Sequence, residues 1–390
     1  MLSGKSSYLG DQITFVVEKK IAVIGSYAGS LISFRGDLLC DLKRNNYEVI
    51  VLLPGISEYP KVVSQLKKMK IDFFEIPLKG NRLDLLSDIK YLITIYRILK
   101  REQVNMLFLY TIKPVIYGSL AGRLLGISKI FSMITGVGFI FSGKKSFKGT
   151  IIKLIVQMLY RFAFTFNKIL YFQNPDDLKL FTDLKLVKRK TTLITNGSGV
   201  DLNYYAQVPI VDKGINFLFI GRLLGQKGIR EFVSAAEEIK AFNLDVSFSV
   251  CGWIDESPDA IKQAELDNWI LKDTVKFLGK MEDVRPAIAE SSVMVLPSYR
   301  EGTPRSVLEA MSMGRPIITS NVPGCRETVL DGINGYLVEH KSTRSLVAAM
   351  KKIIMNPNTI PMMGRNSRVI AAEKFNVTKV NKAILESMDT

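Results

Sequence analysis

Histidine is almost missing from this chain: His340 is the single one among 390 residues. That excludes any multi-histidine metal site. Cysteine is nearly as scarce. Cys40, Cys251 and Cys325 are odd in number and contain no CxxC pair. Neither a disulfide framework nor a thiolate metal site is expected, and a reducing compartment fits. No D-x-D sequence occurs. Long apolar runs are absent too. The longest stretches free of charge, 21–34 and 130–143, have 14 residues each, short of the roughly 18–20 that a membrane-spanning helix needs. The opening MLSGKSSYLGDQ lacks the basic-then-apolar order of a signal peptide and reads as a polar extension. The expectation is a cytoplasmic protein that is free to touch a membrane surface.

Negative charge is short in one half only. Residues 1–205 carry 30 Lys/Arg against 15 Asp/Glu, whereas 206–390 carry 23 against 22, so the net +16 lies almost wholly in the first half. Residues 144–190 concentrate it, with 11 basic against 3 acidic. Such asymmetry points to an anionic partner, either nucleic acid or phospholipid headgroups. No nucleic-acid recognition module or aromatic-basic interleaving supports the first, so no nucleic-acid partner is expected. The stretch KKSFKGTIIKLIVQMLYRFAFTF (144–166) joins a basic cluster to a strongly apolar helix. It fits an ordinary core helix with a solvated end, or an interfacial helix resting on anionic lipid.

What remains is a globular composition, 47% apolar and 23% charged, and a chain too long for one ordinary core. Short β-rich runs alternate with longer amphipathic ones from end to end. The first half has IAVIG (21–25), YEVIVLL (47–53), IDFFEIP (71–77), VNMLFLY (104–110), KIFSMIT (129–135), KILYFQN (168–174) and TTLIT (191–195). The second has INFLFIG (215–221), VSFSVCG (246–252), VKFLG (275–279), VMVLPS (293–298), PIITS (316–320) and GYLV (335–338). Near-continuous apolar strands mean parallel sheets covered by helices on both faces. The expected fold class is α/β, two doubly wound Rossmann-like domains facing a cleft. The boundary is expected in the Gly/Asn/Asp/Pro-rich segment 196–214, giving domains 1–205 and 206–390.

The chemistry gathers in the second domain. In YREGTPRSVLEAMSMGRPIITS (299–320), Glu301 and Glu309 stand with seven residues between them. Thr303 suits an N-cap, Pro304 the first helical position, and Gly314 a left-handed helix end. Polar groups thus collect where strand 293–298 finishes, the edge at which open parallel sheets bind ligands. In FIGRLLGQKGIREFV (219–233), Gly221 ends a strand, and Arg222 and Lys227 flank a turn that Gly228 closes before a helix. Two cations beside a helix N-terminus can hold a diphosphate. Taken alone, the same turn also reads as a strand-loop-helix connection with solvated basic groups.

These segments, with GRP-I-I at 314–318 and PGCRE at 323–327, resemble the retaining nucleotide-sugar glycosyltransferases of family four, which have the two-domain GT-B fold. The likeness spans nearly the whole chain and is strongest over 215–340. TNGSGVDLNYY (195–205) resembles the family's interdomain linker. Stretches 110–126 and 134–143 resemble members that build O-antigen, capsule or lipid-linked oligosaccharides. The resemblance implies an acceptor-binding first domain and a nucleotide-sugar-binding second domain, with the last helix a candidate to pack back on the first. It implies a UDP-linked donor, a polyprenyl-diphosphate-linked acceptor and no metal or other cofactor.

By the same resemblance, Arg222, Lys227 and Glu301 carry catalysis: the cations face the leaving diphosphate, and Glu301 contacts the donor sugar. Glu309 grips the ribose, with Gly25, Gly221, Gly302, Thr303 and Pro304 completing the donor site. Glu309 also reads as a buried helix residue paired with an arginine. Arg35 and Lys113 are candidates to meet the acceptor. Gly25 and Gly29 do not form the dinucleotide G-x-G-x-x-G, and a purely structural glycine turn is the other reading there. Many family members place a histidine after the strand that here reads KIFSMIT. This chain has none, His340 reads as a surface residue, and no general base is identified. A nucleotide-sugar 2-epimerase and a non-catalytic sugar-nucleotide binder share the architecture and stand as alternatives.

Overall fold

The computed structural model describes residues 19–78, 84–136, 147–210, 214–242 and 245–389. Its thirteen strands answer one for one to the apolar runs above. The first sheet holds β1 (Lys20–Ile24), β2 (Glu48–Leu53), β3 (Asp72–Glu75), β4 (Met106–Tyr110), β5 (Lys129–Ile134), β6 (Ile169–Phe172) and β7 (Thr192–Ile194). The second holds β8 (Ile215–Ile220), β9 (Val246–Cys251), β10 (Lys276–Gly279), β11 (Val293–Leu296), β12 (Ile317–Ser320) and β13 (Gly335–Val338).

Every pairing between these strands is parallel. The orders are β3-β2-β1-β4-β5-β6-β7 and β10-β9-β8-β11-β12-β13. Both are doubly wound, with the direction of winding reversing between β1 and β4 and between β8 and β11. Central strands are buried on both faces, as Ile21–Ile24 and Val293–Leu296 illustrate. Each sheet has its own core, one centred on Ile24, Leu107 and Phe172, the other on Phe219, Val295 and Leu308.

The chain divides into two compact units. The first contains the residues through Phe172, Leu178–Ile194 and the chain from Asn381 onward; the second contains Gln173–Asp177 and Thr195–Val380. The closing helix Val377–Asp389 is tied to the first unit by hydrogen bonds from Asn381 to Asp41 (2.8 Å) and between Tyr171 and Ser387 (2.7 Å). Gln173–Asp177 is tied to the second by bonds described below. Among the described residues, no helix is long and apolar enough to cross a membrane.

Candidate active site

In the second unit the topology sets two loops side by side. One leaves β8 and the other leaves β11, the two strands flanking the reversal of winding. They are laced together: the Tyr299 amide donates to the Gln226 carbonyl at 2.8 Å. Gly228, at φ +74°, closes the first loop and precedes the helix Ile229–Lys240. A Cβ there would lie 2.2 Å from the Pro297 carbonyl oxygen, so only glycine lets the two loops meet.

The meeting puts Lys227 against Glu301. The Lys227 ammonium bonds Glu301 Oε1, and the Ser298 hydroxyl donates to the same oxygen at 2.8 Å. Both members are mostly buried, with side chains 21% and 12% exposed. Arg222 takes a different partner, Asp255 beyond β9, at 2.8 Å. The structure thus joins Lys227 and Glu301 directly, and a carboxylate absent from the sequence reasoning engages Arg222. Gly221 follows β8 and donates its amide to Cys251 at 3.0 Å.

The turn after Glu301 differs from expectation. The helix runs Arg305–Ser312, and Pro304, at ψ 112°, is the residue before it rather than its first member. Thr303 does not cap it. The buried Thr303 hydroxyl bonds the Gln173 carbonyl at 3.1 Å, and Asn174 Nδ2 donates to the Gly302 carbonyl at 2.7 Å. Asn174 and Arg300 in turn bond the fully buried Asp177, at 3.1 and 2.5 Å. The Thr303 hydroxyl is turned to donate to Gln173, and the extended Pro304 takes the position before the helix, which delays the helix by one residue. The far end is as expected: Gly314 sits at φ +80°.

Glu309 lies on that helix, 7% exposed. Tyr205 OH donates to its Oε1 at 2.8 Å and Arg305 Nε at 2.9 Å. The arginine pairing considered from the sequence is therefore present. Burial raises the Glu309 pKa, and the Arg305 charge and the two hydrogen bonds oppose that rise.

In the first unit, Gly25 follows β1 and Tyr110 ends the adjacent strand β4. A Cβ on Gly25 would come within 2.2 Å of the Tyr110 ring, which explains the glycine by close approach. Arg35 is 3% exposed, with Nη2 2.8 Å from Met133 Sδ and its guanidinium 5.3 Å from the Tyr110 ring centre. Lys113 is buried and forms a 2.7 Å ion pair with Asp88, which also accepts from Tyr117 at 3.0 Å. His340 is exposed. Residues 137–146, with Lys144 and Lys145, and the side chain of Lys148 lie outside the described residues.

Residues 214–356 match the family described as glycosyl transferases group 1, and residues 28–174 match the glycosyl transferase 4-like family. The chain belongs to these glycosyltransferases. It is 29% identical to an Escherichia coli UDP-Gal:alpha-D-GlcNAc-diphosphoundecaprenol alpha-1,3-galactosyltransferase, over 78% of this chain and 80% of that one. It is 26% identical to the Campylobacter jejuni N,N'-diacetylbacillosaminyl-diphospho-undecaprenol alpha-1,3-N-acetylgalactosaminyltransferase, over 82% and 86%. Among solved structures, Anabaena Alr3699/HepE in complex with UDP and glucose superposes with a TM-score of 0.76 at 17% identity, covering 95% of this chain and all of that one. Two parallel-sheet Rossmann-like domains of the GT-B kind are the shared fold.

Proposed function

We propose that this protein transfers a sugar from a UDP-sugar to a polyprenyl-diphosphate-linked saccharide in the assembly of a bacterial surface glycan. The Lys227–Glu301 contact at the carboxyl end of β8 and β11 carries the reading. The acceptor class rests on the two relatives, each of whose names specifies a diphospho-undecaprenol.

The roles follow from charge. The anomeric C–O bond to the diphosphate breaks, and negative charge grows on the departing oxygen. Lys227 has three N–H donors, so it can hold Glu301 and a phosphate oxygen together. Arg222 and the start of helix Arg305–Ser312 add fixed positive potential, and Gly302, Thr303 and Pro304 shape that approach. Basic side chains thereby take the part a metal plays elsewhere. The acceptor oxygen bonds the anomeric carbon on the face the diphosphate leaves, and its proton passes to a leaving phosphate oxygen. That front-face course retains configuration and needs no side-chain base. Glu301 holds sugar hydroxyls and Glu309 the ribose, while Gly221 lets backbone approach the donor. Arg35 and Lys113 are buried, Lys113 in its pair with Asp88, and are given no direct contact with the acceptor.

Incubation with a UDP-sugar panel and a lipid-linked acceptor, followed by product NMR, is the test. A glycosylated acceptor with the donor's anomeric configuration is expected. An inverted product would overturn the front-face course. Recovery of a 2-epimerised nucleotide-sugar, or donor binding without turnover, would overturn the transferase reading. Calorimetry with UDP separates the carboxylates. Glu309→Gln should weaken UDP by about tenfold, the scale of one lost charged hydrogen bond, and Glu301→Gln should spare it while lowering turnover. The reverse pattern exchanges their roles.

An anionic membrane surface completes the proposal, placing the protein on the cytoplasmic face of the cell membrane. On the helix Phe147–Phe164, Val156, Tyr160 and Phe164 are buried, yet Ile151, Leu154, Ile155, Met158 and Phe162 are exposed along the opposite side. Arg161 is exposed among them. An apolar outer stripe beside basic groups suits an interface of acyl chains and phosphates. Replacing Lys144, Lys145, Lys148 and Lys153 by glutamine should cut sedimentation with anionic vesicles, at roughly 1 kcal/mol per basic group near the surface. Wild-type protein left in the supernatant at low salt would overturn the membrane proposal.

A further inference from the structure

We infer that Tyr205 and Arg305 are positioning residues that aim Glu309 at the ribose, and so set discrimination between ribonucleotide and deoxyribonucleotide. The inference rests on the ribose reading of Glu309 above. It starts from an asymmetry within one carboxylate. Both neighbouring donors, Tyr205 OH and Arg305 Nε, fall on Oε1. Oε2 has no hydrogen bond among the described residues and is not sealed from solvent. With one oxygen pinned, the carboxylate plane cannot swing, and the other oxygen is presented in a fixed direction.

The pinning groups are themselves held. Arg305 is one helical turn before Glu309, and its side chain is 12% exposed. Tyr205 belongs to the linker-like segment, and its carbonyl accepts from the Ser312 hydroxyl (2.7 Å) and Arg368 Nη1 (3.1 Å). Its amide donates to the Asp201 carbonyl at 3.0 Å. Its ring meets Tyr204 edge-on at 5.0 Å, and Tyr204 stacks under the Arg285 guanidinium at 3.9 Å. Arg285 is fixed in turn by Asp283 at 2.7 Å. The tyrosine hydroxyl thus reaches Glu309 from a segment anchored on three sides.

The two donors also oppose the rise that burial causes in the Glu309 pKa, and so favour its acceptor-only form. Only that form can receive both hydroxyls of a vicinal diol. A site built this way penalises a ligand missing one hydroxyl, because the oriented oxygen is left unpaired. A merely structural pair would not do so. Losing it would loosen the protein and weaken all nucleotides alike.

The experiment compares UDP with 2′-deoxy-UDP by calorimetry on the full chain. Wild type should favour UDP by about tenfold or more. Tyr205→Phe, which removes one oxygen and keeps the ring, should shrink the preference to about threefold or less, chiefly by weakening UDP. Arg305→Met should shrink it further, and Arg305→Lys should restore part of it. Equal losses for both nucleotides in Tyr205→Phe would overturn the positioning role, and that variant suffices if Arg305→Met fails to fold. Glu309→Gln separates the two layers. If it leaves UDP affinity and the preference intact, the ribose reading falls. If it abolishes the preference while Tyr205→Phe keeps it, only the positioning inference falls.

Discussion

Replacing Lys227 by alanine is expected to lower turnover by about 10²-fold or more, the scale of losing one preorganised charge partner of a developing anion. Folding should barely change, because Lys227 ends a single turn, Gly225–Lys227, ahead of a helix whose buried face carries the packing. The ion pair with Glu301 complicates the reading, since the variant also leaves a largely buried carboxylate without its cation. A double-mutant cycle resolves this. If Lys227 serves only to hold Glu301, the double variant Lys227→Ala/Glu301→Gln will match Glu301→Gln alone. If Lys227 also neutralises the leaving diphosphate, the double variant should fall about tenfold or more below that single one. Arg222→Ala is expected to lose a similar 10²-fold. Near-normal turnover in either single variant would remove that residue from catalysis.

The strands were legible because a strand buried on both faces must be apolar throughout, and few other elements of that length are. VMVLPS placed β11 to within two residues, and the polar loop after it placed Glu301 at the sheet edge. Glycines were legible as turns but not as to cause. Nothing local says that Gly25 yields to a tyrosine from β4, or Gly228 to a carbonyl after β11. Partners far apart in sequence were the larger gap. Thr303 looked like a cap because the pattern around it is local, whereas its hydroxyl answers to Gln173, 130 residues earlier. KILYFQN read as one strand, yet β6 ends at Phe172 and the next five residues belong to the other unit. Lys113 looked available at a helix start and is buried against Asp88, 25 residues before it. Tyr205 carried no signal, since a linker tyrosine gains meaning only from the carboxylate that it meets.

Arg315 closes the same lesson with the largest expected effect on stability. It follows Gly314 in the GRP-I-I run and is fully buried, yet among the described residues no carboxylate pairs with it. Its five N–H groups are met by six carbonyls instead, the longest contact being Nη1 to Gly314 at 3.5 Å. Nε bonds Ile288 at 2.9 Å, Nη1 bonds Val208 and Met313 at 2.9 and 3.1 Å, and Nη2 bonds Pro209 and Ala289 at 3.2 and 3.0 Å. Burial lowers its pKa to about 10, so it keeps its charge at neutral pH. The side chain therefore ties the segment after Tyr205 to the end of the helix Arg285–Glu290 and to the turn before β12. Arg315→Met fills similar volume but offers no donor, leaving several buried carbonyls without their partner. About 4 kcal/mol should be lost, against the 1.5–3 of a typical single bond to a charged group. For a unit of this size that corresponds to a fall of roughly 8–16 °C in Tm. Arg315→Lys, with three donors on one nitrogen, should recover only part of it. Scanning calorimetry measures the shift. A fall under about 3 °C for Arg315→Met would mean that these carbonyls find other donors and that the guanidinium is not what binds this segment to its sheet.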